Sequence, residues 1–142
     1  MALNVNPLDI LKIRKVFTDA MIKDLIPDMH ITLMYAPEQN EVHRIEARPD
    51  RKYTCEVTGL DVMGTGKWKA LVFKLKCPAL VRRHWAISKS FGLKHSYHPE
   101  FNLHTSVKYQ PTDSDIKTFL NMKALVGMKI EVSGEHVKPL NP

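Results

Sequence analysis

The chain has 142 residues, 44% of them hydrophobic and 25% charged, a balance that fits a folded globular protein and excludes a disordered or low-complexity one. No apolar run approaches the ~20 residues of a membrane-spanning helix, and the first residues lack the apolar core of a secretory signal, so a cytoplasmic protein is expected. The formal charge of +6 favours an anionic ligand.

The length suits one domain over residues 1–142. Residues 6–25 are predicted as its first helix. Asn6 can cap it, Pro7 suits the first helical position, and Asp9 sits favourably in the first turn. Ile10, Ile13, Phe17, Met21 and Leu25 recur at a spacing of three to four. Pro27 ends the helix and delivers the chain to a strand over Met29–Tyr35. Residues 37–51 are polar and bracketed by Pro37 and Pro49, a loop placed to act as a lid over bound ligand. His43 and Arg44 in it can reach phosphate, although solvation accounts for them more simply.

Tyr53, Cys55 and Val57 alternate with polar residues as a half-buried strand does, and the turn Gly64-Thr65-Gly66 leads into a partner strand from Trp68 to Leu75. That turn lacks the further glycine, the lysine and the following helix of a phosphate-binding loop. Trp68 serves equally as a stacking surface for a nucleobase or as a cover for the core. Cys55 and Cys77, without C-x-x-C spacing, read as reduced core thiols. Pro78–Phe91 is predicted as the second helix with Gly92 as its stop, and Arg82, Arg83, His84 and Lys89 as a solvated face. His95 and His98 stand in a loop with no third ligand at suitable spacing, so no metal and no cofactor are expected. After a strand over Phe101–Tyr109, Thr112 with Asp115 three residues on caps a third helix, which Gly127 ends. Residues 128–132 alternate as a final strand, and Glu135 follows as an exposed acid.

Two of these strands share a pattern. His30-Ile31-Thr32-Leu33-Met34-Tyr35 and His104-Thr105-Ser106-Val107-Lys108-Tyr109 both read His, any residue, hydroxyl, aliphatic, any residue, Tyr. Alternate side chains of a strand share a face. His30 and Thr32 therefore lie together, as do His104, Ser106 and Lys108, while Ile31, Leu33, Tyr35, Leu103, Thr105, Val107 and Tyr109 form the packing faces. Two imidazoles and two hydroxyls around one cleft suit displacement at a phosphodiester. With an unperturbed pKa of about 6.5, one imidazole can take a proton from the attacking oxygen while the other gives one to the leaving oxygen. Such acid–base catalysis contributes roughly 10²–10⁴-fold. The hydroxyls of Thr32 and Ser106 can donate to the non-bridging oxygens, and Lys108 is a candidate to neutralise phosphate charge.

The paired motif resembles the duplicated signature of the 2H phosphoesterase superfamily, with Ser106 where threonine is more usual. His30–Tyr35, Gly92-Leu93-Lys94-His95 and Ser133-Gly134-Glu135 are together similar to phage anti-CBASS nucleases, which cut the cyclic oligonucleotides of a bacterial alarm system. The resemblance implies an α+β fold with two antiparallel β-sheet lobes flanked by helices around a central cleft. It also implies a metal-independent phosphodiesterase acting on a cyclic oligonucleotide or short RNA in the host cytoplasm, with no obligate protein partner and with Glu135 touching ligand. The alternatives are an RNA 2′,3′-cyclic or 2′,5′-oligoadenylate phosphodiesterase, or a non-catalytic nucleotide-binding module.

Overall fold

Met1, Leu3 and Val5 are buried in the core and alternate with Ala2 and Asn4. That period of two makes Ala2–Val5 a strand, β1, an element beyond those expected from the sequence. A computed structural model describes residues 1–34, 46–91 and 101–137. Its further strands are β2 (His30–Thr32), β3 (Tyr53–Met63), β4 (Ala70–Lys76), β5 (His104–Tyr109) and β6 (Lys129–His136). The helices are α1 (Pro7–Asp19), α2 (Pro78–Phe91) and α3 (Asp113–Leu120).

All the strand pairings are antiparallel, in the closed order β1-β2-β5-β4-β3-β6. This corrects the expected pair of separate sheet lobes. Strand β1 pairs with β2 along one edge and with β6 along the other, so it joins what would be two edges into a single six-stranded barrel. Among the described residues, closure gives each strand a hydrogen-bonded neighbour on both sides.

The three predicted helices form, two of them shortened: α3 ends at Leu120 and a separate turn over Lys123–Leu125 carries the chain to Gly127. Asn6 caps α1 through its side chain, but α1 ends at Asp19 because Met21 and Asp24 adopt left-handed backbone, φ 63° and 59°. Met21 is thereby turned out to solvent and Ile22 takes the buried place. Thr112 and Asp115 form the expected reciprocal cap on α3. Phe17 of α1, Phe73 of β4 and Phe119 of α3 meet with ring centroids 5.8–6.1 Å apart and tie two helices to the sheet. Cys55 and Cys77 are buried free thiols, and burial first, then the neighbouring Cys77, pushes the Cys55 thiol well above its ordinary range. Tyr35, the core of the proposed lid with His43 and Arg44, and Gly92 to His98 lie outside the described residues.

Candidate active site

Ile31 of β2 sits opposite Thr105 of β5. In an antiparallel ladder that register sets His30 beside Ser106 and Thr32 beside His104. Each histidine thus faces the hydroxyl of the other motif, at the close spacing of directly opposed side chains. His30, Thr32, His104 and Ser106 line one cavity of about 150 Å³ together with Ile26 and Tyr109.

The two imidazoles face matching carbonyls, closely at His104 and loosely at His30. Nδ1 of His104 lies 2.7 Å from the carbonyl of Asn102, and Nδ1 of His30 lies 3.5 Å from the carbonyl of Asp28, in each case two residues upstream. A carbonyl can only accept, so the proton of His104 resides on Nδ1 and Nε2 is the nitrogen left for chemistry. Between the strands, the hydroxyl of Thr105 donates to the carbonyl of His30 at 2.9 Å. Thr105 belongs to a packing face, as its full burial shows, but it also fixes one motif strand to the other.

Beyond Ser106 the alternation fails. Val72 of β4 pairs with Ser106 while Leu71 pairs with Lys108, so Val107 is the extra residue of a β-bulge. The bulge exchanges the two faces from that point on. Lys108 turns inward and its Nζ forms a 2.8 Å ion pair with Asp115, both side chains largely buried. Tyr109, assigned to the core from its position in the pattern, comes to the cavity instead. Its ring meets the exposed Trp68 edge-to-face at 6.2 Å, and Trp68 stands in a turn over Gly66–Trp68 rather than at the head of a strand. Gly64 makes that turn possible: its φ is 81°, and a Cβ there would collide with the carbonyl of Trp68.

The family model described as Anti-CBASS protein Acb1 matches residues 5–142. The chain belongs to that family. It is also 30% identical over 119 residues to the Anti-CBASS protein Acb1 of Vibrio phage KVP40, covering 82% of this chain and 70% of that one.

In this Acb1-family chain, Glu135 is buried within β6 rather than exposed. Arg83 of α2 grips it with two contacts, 2.8 and 3.3 Å, and the backbone N–H of Arg48 donates to it at 3.1 Å. Arg83 is therefore an interior anchor, not part of a solvated face. His84 is buried as well. Its Nδ1 donates to the carbonyl of Leu33 at 2.6 Å, and its ring stacks on Phe101 with centroids 3.8 Å apart. It thereby braces the chain within the first motif and just before the second. Among the described residues, no group of three or more His, Cys, Asp or Glu side chains is arranged to hold a metal ion, and no helix is long and apolar enough to cross a membrane.

Four of the seven residues singled out from the sequence, His30, Thr32, His104 and Ser106, share the cavity. Trp68 stands at its rim through Tyr109. Lys108 and Glu135 are drawn off into ion pairs. Tyr109 and Thr105 are the additions, and a bulge has no local sequence signal that would have revealed the first.

Proposed function

We propose that this protein is a phosphodiesterase of the 2H type that cleaves 3′–5′ linkages of cyclic oligonucleotide second messengers, as a phage counter-defence acting in the host cytoplasm. The carrying observation is the shared cavity in which each motif histidine lies beside the other motif's hydroxyl. Membership of a family described as anti-CBASS supports the biological role.

One histidine accepts the proton of the substrate's 2′-hydroxyl through Nε2, and the freed oxygen attacks the adjacent phosphorus. The P–O5′ bond breaks as the other, protonated, histidine delivers its proton to the departing oxygen. Thr32 and Ser106 donate hydrogen bonds to the non-bridging oxygens as negative charge gathers on them. The product is a 2′,3′-cyclic phosphate, which water opens with the two histidines exchanging roles. Both proton transfers are supplied by imidazole, so the chemistry makes no demand for a metal. The cavity of about 150 Å³ suits a phosphate group rather than a whole nucleotide. The nucleobase then rests on the aromatic surface of Tyr109 and Trp68, where stacking is worth about 1–3 kcal/mol per base. In this reading Lys108 and Glu135 serve the scaffold.

The test is to incubate wild type, His30→Ala and His104→Ala with cyclic di- and trinucleotides in excess EDTA and follow the ring by mass. Loss of the ring is expected with wild type, with both variants slower by 10²-fold or more on the scale of ~10²–10⁴ for acid–base catalysis. Survival of the ring with wild type, or cleavage of a 2′-deoxy linkage, defeats this reading and returns attention to linear 2′,3′-cyclic and 2′,5′-linked RNA.

A further inference from the structure

His104 borders two cavities, not one. On one side is the small pocket it shares with His30, Thr32 and Ser106. On the other is a groove of about 350 Å³, whose lining includes Thr58, Asp61, Lys74, Leu75, Phe101 and Asn102. The small pocket is below the ~300 Å³ at which ligand sites begin, and the groove is within that range.

The strand register explains why a cation stands there. Lys74 of β4 is directly opposite His104 of β5. Directly opposed residues project to the same face with Cβ atoms about 5 Å apart. Thr32, His104 and Lys74 therefore form a row across three strands, and Lys74 supplies a cation on the face where strand alternation placed Lys108. Its ammonium leans away from the small pocket, to 3.4 Å from Oδ2 of Asp61. Those side chains are 55% and 45% exposed, so this ion pair is of the weak, solvent-screened kind that a stronger anion displaces.

The groove thus offers a loosely held cation, the amide of Asn102, and an apolar wall from Leu75 and Phe101, while the Thr58 hydroxyl donates to the carbonyl of Lys74 at 3.3 Å. That is the chemistry of a phosphate attached to a flat, largely apolar base. We infer that the groove holds the nucleotide adjoining the one being cut, and that Lys74 binds the phosphate of that neighbour. The inference rests on the phosphodiesterase reading above. It makes Lys74 a binding residue for ligands carrying more than one phosphodiester, with Asp61 as its resting partner.

Steady-state kinetics on a cyclic dinucleotide, repeated over a range of NaCl concentrations, test it with wild type, Lys74→Gln, Lys74→Arg and Asp61→Asn. Lys74→Gln is expected to raise KM about tenfold with kcat changed less than threefold, the pattern of a lost ground-state contact, and to flatten the rise of KM with salt. Lys74→Arg should recover most of the affinity, and Asp61→Asn should lower KM by freeing the ammonium. An unchanged KM and salt dependence in Lys74→Gln overturns the inference while leaving the phosphodiesterase reading intact. Should wild type leave the ring uncut, that reading falls first, and equilibrium dialysis of the same dinucleotide decides the groove. About tenfold weaker binding by Lys74→Gln then upholds it, and equal binding, or no binding by wild type, ends it.

Discussion

The hydroxyl of Thr105 joins two strands whose ladder at this point rests on the single opposed pair Ile31 and Thr105. A neutral hydrogen bond contributes about 0.5–1.5 kcal/mol, and removing the donor strands a carbonyl that is costlier to leave alone. The shape-conserving change Thr105→Val is expected to destabilise the fold by about 1–2 kcal/mol. Because the bond ends on His30 itself, it should also lower kcat more than KM, and Thr105→Ser should restore both. Urea denaturation and turnover on the same samples check this; a variant with full kcat would confine Thr105 to packing. Residue identity alone could not show such a role, since threonine on an apolar face is an ordinary core residue until its hydroxyl is seen to have a partner.

At the level of elements, β5 and α3 are locked by Lys108 and Asp115, and Asp115 also closes the cap of α3. Burial pushes the Asp115 carboxyl up, but hydrogen bonds from Lys108 and Thr112 and the Lys108 charge outweigh it, so the group titrates below its ordinary value. A carboxylate with a lowered folded pKa stabilises above its unfolded pKa of about 3.9 and loses that contribution as pH falls through the folded value. Wild type should therefore lose stability below about pH 4 more steeply than Asp115→Asn. At neutral pH, Asp115→Ala should cost about 2–4 kcal/mol, from the lost cap and a buried, unpaired Lys108. Equal acid slopes in the two proteins would remove Asp115 from the account. The cap was legible in the Thr-x-x-Asp spacing because it is local. The ion pair was not, because it depends on the bulge at Val107, which turns Lys108 over to Asp115. The same reversal brings Tyr109 to the cavity, and the long reach from α2 to β6 hides Glu135 against Arg83.

For the whole molecule, β1 is the closing stave. Leu3 is fully buried between β2 and β6, and Leu3→Ala at such a site costs about 2–5 kcal/mol. The expected signature is local as well as global: amide exchange should quicken at β2, which carries His30 and Thr32, before it quickens at the β3–β4 hairpin. Uniform quickening would mean that β1 does not hold the site strand separately. What the sequence by itself determined is the short-range part. A period of two put His30 with Thr32 and His104 with Ser106, a period near 3.6 marked three helices, and residue chemistry pointed to phosphate. These depend only on neighbours along the chain. Which strand lies beside which, whether two sheets stay apart or close, and which of Lys74 and Lys108 stands next to His104 were decided by pairings between distant segments. There a single extra residue reverses a face, and no local pattern records it.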